Sequence, residues 1–117
     1  MCDAAVDFTA IALASRALLV TGADLTQVAR QLPRPLSAPR LRRAILAGAQ
    51  TDAFADAVIS AVPPALAPAV RELLRTWPAE DANERTQLRR LRRALTTAEQ
   101  MQRCFCAAMD ASTGDQR

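Results

Sequence analysis

The chain has 117 residues, half of them apolar, with fifteen basic residues against twelve acidic ones and no histidine. That length fits a single domain. Every basic residue is arginine, so with neither lysine nor histidine there is no Schiff-base nucleophile, no Ser-His relay and no P-loop.

Only four aromatic residues, Phe8, Phe54, Trp77 and Phe105, stand among the apolar ones, and alanine and leucine supply most of the packing material. Both favour helix, while the β-branched and aromatic residues that build sheets are scarce. The composition predicts an all-α protein.

In chain order, a first helix is expected from about Asp3, as N-cap, to Thr21, with Gly22 as its left-handed stop. Phe8, Ile11, Leu18 and Leu19 form one stripe; Val6, Leu13 and Val20 form another behind it. A helix apolar on two sides lies between neighbours or is covered by a partner. Asp24 caps a short helix carrying Leu25, Val28 and Leu32, which Pro33-Arg34-Pro35 ends. Ser37 caps a third helix with Pro39 in its first turn, apolar through Leu41, Ala44 and Ile45 and stopped by Gly48.

Thr51 or Asp52 opens a fourth helix, with Phe54, Val58 and Val62 spaced by four, and Pro63-Pro64 closes it. The fifth runs from about Ala65 to Trp77, with Leu66, Val70, Leu73, Leu74 and Trp77 on one side and Arg71, Glu72 and Arg75 on the other. From Glu80 to Ala111 no glycine or proline occurs, and Leu88, Leu91, Leu95, Ala98, Gln102, Phe105 and Met109 alternate in steps of three and four, a coiled-coil seam. Thr96 followed by Glu99 reads as a capping box, which favours two helices broken near Thr96 over one long helix. Short links force neighbouring helices antiparallel. The expectation is a small helical solenoid of three antiparallel pairs over residues 1–111, with a disordered tail over 112–117.

The remaining chemistry is thin. Three glycines, at 22, 48 and 114, build no phosphate-binding loop. Cys104 and Cys106 project ~200° apart around a helix and cannot share a metal ion, and an odd count of three cysteines suits free thiols in a reducing compartment. Asp52 and Asp56 stand one turn apart, but no third group joins them. No catalytic, cofactor or metal site is expected. The start, Met-Cys-Asp-Ala-Ala-Val-Asp, lacks a basic signal-peptide region, and polar residues interrupt the apolar stretch from Ala4 to Val20. A cytoplasmic protein without a membrane span is the expectation.

Positive charge gathers in residues 39–95, which hold ten arginines against six acids. Arg85, Arg89 and Arg92 share a face of the last helix with Arg90 and Arg93 close by, so nucleic-acid binding is one reading. A solvated or partner-facing basic helix is the plainer one, since Asp81 stands four residues before Arg85 and no aromatic platform accompanies the cluster. A homo-oligomer built on the 88–109 seam is a third.

Leu19-Val-Thr-Gly-Ala-Asp-Leu-Thr-Gln-Val-Ala29 resembles the loop between the two helices of a tetratricopeptide repeat, and Leu41 to Ala57 reads as a second copy in which Phe54-x-x-Ala57 begins the second helix. Neither copy has the glycine and tyrosine of the repeat's first helix. The stretch Val62 to Trp77, with Pro64-Ala-Leu-Ala-Pro68, is similar to the tetratricopeptide-like chaperones of the type III secretion needle subunit, the YscG/PscG type. The resemblance spans roughly residues 5–110 and is most specific over 40–77. It implies a chaperone that holds the needle subunit's amphipathic helix in an apolar groove, with a small helical co-chaperone alongside, and so prevents premature polymerisation. The inner helices of such a solenoid would line the groove with Ile11, Leu18, Leu41, Ile45, Leu66, Val70, Leu73 and Trp77, each of which could instead fill the core.

Overall fold

The computed structural model describes residues 7–32, 34 and 36–114, the last three of these by backbone alone. Among them are six α-helices and no strand: α1 (Phe8–Val20), α2 (Leu25–Gln31), α3 (Ala38–Ala49), α4 (Asp52–Ser60), α5 (Ala67–Thr76) and α6 (Glu84–Gly114). A 3₁₀ turn, Pro64–Leu66, leads into α5.

Five of the six helices start at a short polar side chain that takes up a backbone N–H left without a partner in the first turn. Asp7 accepts from the Ala10 amide at 3.0 Å, Asp24 from Thr26 at 2.6 Å and Gln27 at 3.2 Å, and Ser37 from Arg40 at 3.4 Å. Thr51 accepts from Phe54 at 3.2 Å and Asn83 from Thr86 at 2.9 Å. The caps at Asp24 and Ser37 are those the sequence indicates, and of the two candidates Thr51 and Asp52 it is Thr51 that caps α4. The first helix is capped at Asp7; Asp3 lies outside the described residues, as do Val6, Pro33 and Pro35. At the far end of α1, Gly22 adopts φ +87°, while the amides of Gly22 and Ala23 donate to Leu19 and Leu18. This closed turn satisfies two helix-end carbonyls and needs a residue without a Cβ.

Gly48 does not stop α3, which continues through Ala49. It is a crossing point: a Cβ at Gly48 would run into the backbone carbonyl of Phe8 at the start of α1. α1 and α3 form the most extensive helix pair, their approach permitted by Ala12, Ala44, Gly48 and Ala49, all buried. Thr51 ties the same corner, donating to the Gly48 carbonyl at 2.7 Å and lying 3.1 Å from the Thr9 hydroxyl.

α6 is one helix of 31 residues with no break at Thr96. At ~1.5 Å per residue it runs ~46 Å and accounts for most of the 59 Å long axis of the molecule. The reason is packing: Leu88, Leu91, Ala94, Leu95 and Ala98 make one buried stripe that passes straight through the two threonines, and a break would interrupt it. The helix also continues through Gly114, so the backbone of 112–114 is helical rather than part of a tail; residues 115–117 lie outside the described residues.

The pairing differs from a strictly linear stack in one respect. In a solenoid each repeat touches only its neighbours, whereas α6 packs against α1, α3 and α5 together. Polar contacts follow it from Glu84 to Gln102. Glu84 lies 3.6 Å from Arg42 and 3.7 Å from Arg43, Arg92 donates to the Ala23 carbonyl at 2.8 Å, Glu99 lies 3.8 Å from Arg16, and Gln102 donates to the Ala61 carbonyl at 3.1 Å. The core joins Leu19, Val28, Leu41, Ile45, Phe54 and Val70 to Leu91 of this returning helix.

Candidate docking site

The eight residues expected to line a trough divide into two groups. Leu41, Ile45 and Val70 are fully buried and Trp77 is 4% exposed, all in the cluster that contains Leu88, Leu91, Leu95 and Ala98 of α6. Ile11, Leu18 and Leu66 are half-buried and pack at its margin, and Leu73 is half-buried on α5. The helices expected as the inner wall, α1, α3 and α5, are the three that α6 packs against. As an open channel for a foreign helix, the trough is closed around the buried four by the chain's own last helix. That helix carries a complementary apolar stripe and is tethered to the site.

What stays open is the outer side of α1. Ala12, Ser15 and Leu19 face inward, while Ala10, Leu13, Ala14 and Ala17 are exposed on the opposite side, Leu13 by 36%. These four stand at i, i+3, i+4 and i+7, the spacing of one helix face. Ile11 and Leu18, half-buried, border it. The face carries no charge: Arg16, the sole ionisable residue of α1, turns toward Glu99. A solvated helix normally presents polar residues on its outer side. Phe8, 43% exposed, stands at the start of the same helix. The apolar pattern on a second side of this helix is visible in the sequence through Leu13; the exposed alanines carry no such signal, because alanine alone does not distinguish a covered face from an open one.

Trp77 separates two clefts. One, of about 600 Å³, opens between the α3–α4 corner and the end of α5, floored by Ala49, Ala55, Leu74 and Trp77. Its rim mixes signs, Arg71 and Arg75 with Asp52 and Glu80. The other, of about 300 Å³, lies between α5 and α6 over Leu73, Trp77 and Ala94, rimmed by Arg90, Arg93, Thr76 and Thr97. A shallower hollow joins Arg42 and Arg85 around Glu84, and a small crevice holds Arg16 and Glu99.

The arginine cluster of α6 is only partly bound. Arg92 turns inward to Ala23, away from the face expected to group it with Arg85 and Arg89. Arg85, Arg89, Arg90 and Arg93 are exposed, and none of the ion pairs among the described residues includes them. The expected pair of Asp81 with Arg85 is not formed.

The seam residues Leu88, Leu91, Leu95 and Ala98 are spent inside the chain, Gln102 bonds to Ala61, and from Arg103 onward only Phe105 is half-buried among the described side chains. Cys104 and Cys106 are exposed free thiols, and Asp52 and Asp56 are both exposed. Among the described residues no group of three or more His, Cys, Asp or Glu side chains is placed to hold a metal ion, and no helix is long and apolar enough to cross a membrane. No protein-family model, curated protein or solved structure matches the chain.

Proposed function

We propose that this chain is a non-catalytic cytoplasmic chaperone of the needle-subunit type. It would work without a cofactor, covering the amphipathic helix of a type III secretion needle subunit, with a small helical co-chaperone packed alongside, and so hold the subunit back from polymerising. The single observation that carries the reading is the uncharged outer face of α1. An amphipathic helix docks through anchors at i, i+3, i+4 and i+7, and Ala10, Leu13, Ala14 and Ala17 present that spacing on the receiving side. Small side chains let the client backbone approach closely, and a contiguous exposed apolar face on a small protein commonly marks an interaction site. The similarity of residues 40–77 to the needle-subunit chaperones supports the choice of client.

Relative to an inner trough, the client is placed on α1, with Ile11 and Leu18 at the edge of its footprint; Leu41, Ile45, Val70 and Trp77 support the scaffold beneath. The test is co-expression with a needle subunit and small co-chaperone, followed by size-exclusion chromatography. A single complex stable in high salt is expected for the unaltered chain, and its loss for Leu13→Asp with the helical circular dichroism spectrum retained. A Leu13→Asp chain that still co-elutes with the subunit would remove the α1 face from the proposal, and failure of the unaltered chain to retain the subunit would end it.

A further inference from the structure

We propose that the cleft between α5 and α6 is a second docking site, which takes an acidic amphipathic segment of a partner protein. It shares no residue with the open face of α1. Its floor is apolar, formed by Leu73, Trp77 and Ala94, and its wall on α6 carries Arg90 and Arg93.

Charge decides the occupant. The three other clefts each contain a carboxylate that offsets their arginines: Asp52 and Glu80 in the one at the α3–α4 corner, Glu84 in the hollow beside Arg42, and Glu99 in the small crevice. The α5–α6 cleft is lined by two arginines and no acid. Both guanidinium groups are exposed and outside every ion pair among the described residues, as are Arg85 and Arg89 one to two turns back on the same helix. Unpaired, concentrated charge of one sign beside an apolar floor recruits ligands of the opposite sign and fixes their register. Arg90 and Arg93 stand at i, i+3 and flank the pocket, so a ligand that seats a large apolar side chain on Leu73 and Trp77 brings carboxylates about one helical turn away onto both arginines.

A protein segment fits better than a nucleic acid. Single strands bind basic grooves by stacking bases on exposed aromatic faces, and Trp77 is only 4% exposed. The half-buried Leu73 supplies most of the floor that a side chain meets, and Trp77 is no platform for a base. The Thr97 hydroxyl at the rim adds hydrogen-bonding capacity without charge, whereas that of Thr76 donates to the Leu73 carbonyl at 3.1 Å.

Trp77 is the sole tryptophan, which makes the site directly observable. The probe is a fluorescein-labelled helical peptide with leucines along one stripe and glutamates flanking it, compared with its lysine counterpart and with a labelled single-stranded oligonucleotide. The glutamate peptide is expected to bind and to change Trp77 emission, while the lysine peptide does not bind. Arg90→Glu/Arg93→Glu is expected to weaken binding by about tenfold or more, roughly 1.4 kcal/mol or above, and Leu73→Ser to weaken it with the charge unchanged, both with unchanged far-ultraviolet circular dichroism. Leu13→Asp is expected to leave the peptide affinity intact, which separates this site from the face on α1. Wild-type affinity in the Arg90→Glu/Arg93→Glu chain, or preferential binding of the oligonucleotide with the same sensitivity to that double change, would overturn the assignment.

Discussion

Arg92 and Ala23 are 69 residues apart in sequence, and the guanidinium of the first donates to the carbonyl of the second at 2.8 Å. The bond fastens the N-terminal third of α6 to the turn that ends α1, so the final helix is locked to the first pair rather than only to its predecessor. A hydrogen bond from a charged donor contributes about 1.5–3 kcal/mol, and the half-buried stem of Arg92 adds packing. Arg92→Ala is therefore expected to lower the stability of the chain by about 2 kcal/mol, read as a fall in the urea midpoint at unchanged m-value. An unchanged midpoint would mean that α6 is held by its apolar stripe alone.

Gly48→Ala tests the crossing of α1 over α3. The new methyl group meets the Phe8 carbonyl, which is backbone and cannot rotate away, so the two helices must separate. Overpacking of this kind costs about 1–3 kcal/mol, and a clash with fixed backbone lies toward the upper end, against the ~0.5–1 kcal/mol gained when alanine replaces glycine inside an unconstrained helix. The thermal midpoint is expected to fall. A rise would show that the crossing is looser than the described geometry.

Ser15 offers the opposite sign. It is fully buried on the inner side of α1, and its hydroxyl has no hydrogen-bond partner. A buried hydroxyl left without a partner costs about 1–3 kcal/mol relative to an apolar group of like shape, and alanine has the higher helix propensity. Ser15→Ala is expected to stabilise the chain by about 1 kcal/mol. Denaturant unfolding measures it directly, and destabilisation would point to a polar partner for this hydroxyl in solution.

Without a partner, the uncovered faces have a consequence for the isolated chain. Leu13 at 36%, Phe8 at 43% and Met109 at 55% exposure are the large apolar side chains left most open among the described residues. Sedimentation velocity is expected to show concentration-dependent self-association, reduced by Leu13→Asp. That surface change should leave unfolding stability within about 0.5 kcal/mol. A monomer at all concentrations would show that the α1 face is adequately solvated by itself.

How much of this was legible before any coordinates depends on the range of the interaction concerned. The N-caps at Asp24, Ser37 and Thr51 and the left-handed Gly22 were readable because a cap is made within three or four residues of itself. The amphipathic stripe of α5 was readable for the same reason: it repeats at the helical period. Gly48 looked like a stop because glycine often is one; its actual role depends on a carbonyl forty residues earlier. Thr96 and Glu99 have the spacing of a capping box, yet the helix runs through them, since the burial of Leu91, Ala94, Leu95 and Ala98 outweighs a local signal for a break.

The helical class, the places where helices begin and turn, and the lack of histidine and lysine chemistry are all properties of composition and near neighbours. Tertiary structure alone decided which apolar stripe is covered by which. α6 satisfies α1, α3 and α5 at once, which buries Leu41, Ile45, Val70 and Trp77 and leaves the outer side of α1 and the Arg90–Arg93 cleft facing outward. Hydrophobic burial has no direction, so a stripe in a sequence states that something must cover it; only the assembled fold states what does.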